Sequence, residues 1–275
     1  MKPKMDINEL IEKRVASFKA NYCKSLNGDS INTDINAAVE LAYSDAKRTM
    51  TNIGTEDNTI RKEHALKDIK AAFKEYFSKA APKSYAEFDS KHNELCEIWT
   101  NIFKNTDLGS YGKAQKIVNM SFKYLYCFYH TDSNFEAHFK YCHMPLDSFT
   151  LEWFKRKSLD KISIGKLDSW SKLQTGFSPD SHHTNEKNGK YTYEFYRDEI
   201  RNISDERKCS PLEIEFVVWP ETQLLLATEA YLFVLKPEWK SKKEDARKMP
   251  LSEKTKEIVN LIQENNPEIN EIYWF

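Results

Sequence analysis

The sequence predicts an all-α fold, and three observations carry that prediction. Apolar residues recur at the three- and four-residue spacing of amphipathic helices through most of the chain. The breaks between these stretches hold Asn, Gly, Asp, Ser and Pro, as turns do. The β-branched run at Ile214, Val217 and Val218 leaves a strand open, but the Ser210-Pro211-Leu212-Glu213 segment before it reads as a helix start. It has a serine cap, proline at the first helical position and glutamate at the third.

Residues 6–26 place Ile7, Leu10, Ile11, Val15 and Phe18 on one helical face. Residues 34–51 repeat the pattern more weakly with Ile35, Val39, Ala42 and Ala46. Residues 58–79 carry Ile60, Leu66, Ile69, Phe73 and Phe77, and residues 84–104 carry Tyr85, Phe88, Leu95, Ile98, Trp99, Ile102 and Phe103. The stretch 112–129 is apolar on most sides, through Ile117, Val118, Met120, Phe122, Tyr124, Leu125 and Phe128, which predicts a central, buried helix. Another helix is expected from Asp147 through Phe154, and a short one near 166–174. Residues 175–190 read as a loop, and helix resumes over about 190–204. Pro220 inside the next apolar run predicts a kinked helix or two helices. Residues 1–235 thus form the main helical domain. Residues 236–275 add a basic, proline-bounded linker, a helix over 251–265 and an aromatic tail, expected to pack on that domain.

The chain has 275 residues and a formal net charge of −1, so no global basic field announces a polyanionic partner. Charge is uneven: residues 101–175 hold eleven Lys and Arg against seven Asp and Glu, a local excess of +4. Five widely spaced cysteines argue against a disulfide framework and favour a reducing, cytoplasmic setting. The N-terminus leads into a charged helix pattern rather than a secretory signal. No apolar run approaches the roughly 18 residues that span a bilayer, so no membrane is expected.

The chemistry is concentrated in residues 108–147. A Gly-containing turn, Leu108-Gly109-Ser110-Tyr111-Gly112, opens a helix bearing Lys113 and Lys116, and Asp147 follows in Pro145-Leu146-Asp147. The positive end of a helix dipole, together with burial, lowers the pKa of an amine and makes it a nucleophile. Asp147 as a helix cap stays anionic and can face a positive charge developing on a sugar. The structural alternatives are solvated lysines and a carboxylate that only caps. Cys127, His130, Cys142 and His143 are metal-ligand types, but their spacing matches no zinc pattern, so no metal is expected. Of six tryptophans (99, 153, 170, 219, 239 and 274), Trp170 is the least core-like, because it sits among Ser169, Ser171 and Lys172. It is the candidate for stacking on a base. P-loop, dinucleotide, serine-elbow and HExxH motifs are missing from the sequence.

The segment from Leu95 to Asp147 resembles the catalytic core of helix-hairpin-helix DNA glycosylases, in the divergent branch of the archaeal 8-oxoguanine glycosylases. The matching positions are Trp99, the hairpin from Asp107 to Gly112, the helix from Lys113 to Tyr124, and Pro145-Leu146-Asp147, about 50 of the 275 residues. The hairpin departs from the family in lacking its Gly-x-Gly. The resemblance implies a two-lobed helical bundle with a cleft and a central helix-hairpin-helix element. It implies a monomer that binds double-stranded DNA, needs no cofactor and flips a base into the cleft. Lys116 or Lys113 would attack C1′, Asp147 would stabilise the transition state, and a Schiff base would permit strand cleavage. Ser110, Tyr111 and Gly112, with Lys172, would contact DNA. An oxidised purine is the default target, and a modified base in invading phage DNA, an antiviral role, is an equally coherent one. The competing expectation is a non-enzymatic helical DNA-binding or regulatory module.

Overall fold

In a computed structural model the chain is all-α, described here over residues 6–159, 161–176, 184–235 and 251–265. Helices run over Ile7–Tyr22 (α1), Ile31–Ala46 (α2), Glu56–Ser78 (α3), Tyr85–Ile102 (α4), Tyr111–Tyr129 (α5), Glu136–Phe139 (α6), Ser148–Lys157 (α7), Tyr193–Arg207 (α8), Pro211–Leu235 (α9) and Leu251–Asn265 (α10). Among the described residues there is no strand, only one antiparallel bridge between Thr184 and Tyr191.

Local chemistry sets the helix starts. The Asp6 side chain accepts from the Asn8 N–H, and Ser84 accepts from the Glu87 N–H, so each occupies an otherwise unpaired donor of the first turn. Ser210 and Glu213 bond reciprocally: Glu213 N–H donates to Ser210 Oγ at 3.2 Å and Ser210 N–H to Glu213 Oε2 at 2.6 Å.

Two expectations are corrected. The short helix near 166–174 is two 3₁₀ turns, Ile164–Lys166 and Trp170–Lys172, separated by extended backbone at Leu167 and Ser169. The helix expected from 190 begins at Tyr193, because Tyr191 is held in the bridge and donates its N–H to Lys166 O. Of the two alternatives for the run containing Pro220, the chain forms one helix, α9, that continues through the proline. The linker and the aromatic tail, with Trp239 and Trp274, lie outside the described residues.

α5 is the centre of the molecule. Each of its residues is buried except Phe128, which is half-buried. Around it, one apolar core cluster draws on every helix from α1 to α9. A second, small cluster joins Leu225 and Leu232 of α9 to Ile258 and Ile262 of α10. Six polar side chains of α5 are buried with the rest: Lys113, Gln115, Lys116, Asn119, Ser121 and Lys123. Burial of that many polar groups requires partners, and those partners define the site. No helix among the described residues is long and apolar enough to cross a membrane.

Candidate active site

Asp147 is the N-cap of α7. Its backbone is extended (φ −139°, ψ −171°), and Pro145 disfavours helical geometry at Met144 before it. Oδ1 accepts from the Phe149 and Thr150 N–H groups at 2.9 and 3.0 Å, and the Asp147 N–H donates to Thr150 Oγ1 at 2.8 Å. The carboxylate is thereby locked in orientation, with Oδ2 turned toward α5.

Oδ2 receives the Lys116 ammonium at 2.8 Å and the indole N–H of Trp219 at 3.2 Å. The Lys116 and Asp147 side chains are only 7% and 12% exposed. Burial works against the Asp147 charge. The Lys116 ammonium, its hydrogen bond, the Thr150 N–H and the nearby Lys123 outweigh burial and hold the carboxyl below its ordinary range.

The Pro145-Leu146-Asp147 strip is tied to α5 by Gln115. Its side-chain amide donates to Leu146 O at 2.8 Å and accepts from the Leu146 N–H at 3.1 Å. Asn119, one turn on, donates to Gln115 Oε1 at 3.0 Å and to Met144 O at 3.2 Å. α5 therefore presents Lys116 and also fixes the backbone that carries its carboxylate partner.

Lys116 and Asp147 lie on the wall of a cavity of about 740 Å³, within the roughly 300–1,000 Å³ typical of small-molecule sites. Phe18, Tyr22, Tyr124, Phe149, Trp170 and Trp219 supply its aromatic lining. Lys123 and Glu215 supply a second ion pair in the same wall, each side chain 1% exposed. Burial pushes the Glu215 carboxyl above its ordinary range, against the pull of Lys123. The Lys123 ammonium also sits 3.9 Å from the Phe18 ring centre, 4.8 Å from Phe216 and 5.3 Å from Trp219.

The other expected site residues are placed differently. Lys113 points away from Asp147: its ammonium donates to Asp107 O at 2.6 Å, Ser171 O at 3.1 Å and Ser110 Oγ at 3.3 Å. Burial lowers its pKa. Ser110 is buried and donates to Ser171 O at 2.6 Å. Gly112 N–H donates to Leu173 O at 2.9 Å, and a Cβ at Gly112 would collide with the Trp170 carbonyl. Tyr111 is buried, with its hydroxyl 3.2 Å from His92 Nδ1. The turn expected to approach DNA thus packs against residues 170–173, and of the four expected DNA contacts only Lys172 is exposed. Trp170 does join Lys116 and Asp147 on the cavity.

The candidate metal ligands are separated by their own partners. Cys127 donates to Lys123 O and Cys142 to His138 O, His130 meets Glu12, and His143 meets Asp89, Tyr193 and Arg201. Among the described residues no group of three or more such side chains is placed to hold a metal ion.

Sequence reasoning missed Gln115, Lys123, Glu215 and Trp219. A usable signal was present for two of them. Lys123 and Glu215 are opposite charges inside helices that are apolar on nearly all sides, and a charge so placed needs a partner. Comparison of the chain with protein-family models, curated proteins and solved structures gave no match.

Proposed function

We propose that the chain is a DNA base-excision glycosylase with Lys116 as nucleophile and Asp147 as the carboxylate that steadies the sugar cation. The observation that carries the reading is the Lys116 amine held 2.8 Å from an oriented, anionic Asp147 on the wall of an aromatic-lined cavity. The reading takes that cavity as the cleft of a two-lobed bundle and double-stranded DNA as the partner. A damaged or modified base, extruded from the duplex, enters the cavity.

The chemistry balances from the ammonium form of Lys116. Asp147 Oδ2 is the nearest acceptor for the first proton, and it passes that proton to the departing base. The amine nitrogen forms a bond to C1′ as the C1′–base bond breaks, and the bonding pair leaves with the base. Opening of the sugar then breaks C1′–O4′. A second Lys116 proton goes to O4′, and the third remains on the iminium nitrogen. Asp147 offsets the positive charge at C1′ while it develops, which is where a fixed carboxylate is most effective.

Lys116 is favoured over Lys113 by the carboxylate, since Lys113 meets only carbonyl and hydroxyl oxygens. Asp147→Asn keeps the shape and removes the charge. Excision should then fall by about 100-fold or more while DNA binding persists. The assay is single-turnover base release from duplexes carrying oxidised, alkylated or hypermodified bases. If no duplex loses a base and Asp147→Asn matches wild type, the helical-module reading replaces this one.

A further inference from the structure

The geometry points to the Lys123–Glu215 pair as the element that reads the edge of the extruded base, distinct from the Lys116–Asp147 pair that acts on the sugar. This inference rests on the glycosylase reading and adds to it the group that determines specificity.

Lys116 and Lys123 lie seven residues apart on α5, which puts them on one face about 10 Å apart along the axis. Glu215 and Trp219 lie one turn apart on α9. Trp219 joins the two pairs: its N–H donates to Asp147 Oδ2, and its ring faces the Lys123 ammonium. The wall therefore presents two adjacent stations on a single cavity.

The second station has hydrogen-bonding capacity to spare. Apart from the Lys123 ammonium, neither Glu215 oxygen has a hydrogen-bond partner among the described residues. A carboxylate offers about four acceptor sites and an ammonium three donors. Lys123 uses one donor on Glu215, and the rings of Phe18, Phe216 and Trp219 stand 3.9–5.3 Å from its ammonium. Asp147, by contrast, accepts from five donors and has its geometry fixed.

A buried ion pair adds little stability over an apolar pair of equal volume. This one lies in the cavity wall with each side chain 1% exposed, and its carboxylate is buried with acceptor capacity unfilled. The complementary ligand is a planar ring whose edge sets an N–H donor beside a carbonyl or ring-nitrogen acceptor. Extruded nucleobases have that edge. The rings of Tyr22, Phe149 and Trp219, packed edge to face with centroids 5.8–5.9 Å apart, supply the apolar surface for its faces.

An abasic site carries no base to read, and this separates the two stations. The variants are Glu215→Gln and the double Lys123→Met/Glu215→Met, which leaves no orphaned charge. Each full-length protein is tested on two probes: borohydride trapping with a duplex bearing one aldehydic abasic site, and single-turnover excision from the modified-base panel. We expect excision to fall about 100-fold or more while Lys116-dependent trapping falls less than about tenfold, with Glu215→Gln also changing the order in which bases are preferred. Loss of both activities by the same factor overturns the inference and marks the pair as structural, as does a double variant that excises like wild type. If wild type gives no Lys116-dependent trapping, the glycosylase reading itself fails, and the inference falls with it.

Discussion

Lys113 and Lys116 stand three residues apart on one helix and meet opposite surroundings. Lys113 is ringed by neutral oxygens that hold the turn to residues 170–173. Lys116 faces a carboxylate. Lys116→Gln should therefore abolish the borohydride-trapped adduct. Lys113→Gln should retain the adduct and lower stability by about 1–3 kcal/mol, read by denaturant unfolding, because it leaves buried acceptors unpaired. Two other buried groups give stability a pH dependence. Burial pushes the Glu221 carboxyl up to about 8, with Arg14 at 3.8 Å pulling the other way. Its folded-state pKa is raised, so its contribution is complete below its ordinary value near 4.5 and is lost as pH rises through about 8. Burial pushes His143 down to about 4, so its contribution is present above 6.5 and is lost as pH falls toward 4. Glu221→Gln should flatten the alkaline limb by a few kcal/mol and leave the acid limb in place. Thermal unfolding across pH 5–9 checks it, and an unchanged alkaline limb would contradict the assignment.

At the level of elements, the turn before α5 owes its shape to a segment sixty residues away in sequence. Gly112 donates its N–H to Leu173 O, and Ser110 and Lys113 donate to Ser171 O. Gly112→Ala would drive a methyl group into the Trp170 carbonyl. We expect a loss of about 3 kcal/mol, the upper end of the usual overpacking range, and displacement of the 170–173 turn that carries Trp170 to the cavity. A Gly112→Ala protein as stable as wild type would refute that packing. This is also where sequence legibility stopped. The α5 helix was legible because its apolar residues wrap all faces, and the Asp147 cap because proline before it and an apolar run after it leave one place for a helix to begin. Lys116 and Asp147 could be nominated from residue type and order. The closing of the turn by residues 170–173 could not, because a backbone carbonyl leaves no mark on the sequence. The same holds for the Gln115 amide on Leu146 and the Trp219 indole on Asp147, since each partner lies on another element and either residue reads as ordinary helix content.

Across the whole molecule, the cavity draws its lining from α1, α2, α5, the start of α7, the Trp170 turn and α9, so it exists only when the complete core is assembled. Its buried charges are internally matched, with Lys116 on Asp147 and Lys123 on Glu215, and the Asp45 and Arg48 that also line it are opposite in sign. Little positive field is left over to draw in a duplex. A protein of net charge −1 with a local excess of only +4 has few cations to set against phosphates. The turn that would otherwise offer backbone N–H groups spends the Gly112 N–H on its own chain. Binding of duplex DNA should therefore weaken with salt along a shallow line. Four neutralised phosphates give a log–log slope of about −4, against about −10 for a protein that grips the backbone extensively. Most of the discrimination between one duplex and another must then come from what enters the cavity. The difference in affinity between a duplex with an excisable base and its unmodified counterpart should survive from 50 to 200 mM salt, even as both affinities fall by about 250-fold at that slope. Fluorescence anisotropy with the two duplexes over that range measures both quantities. A slope near zero would remove the phosphate contacts from the reading, and a difference that vanishes with salt would move recognition out of the cavity and onto the surface charge.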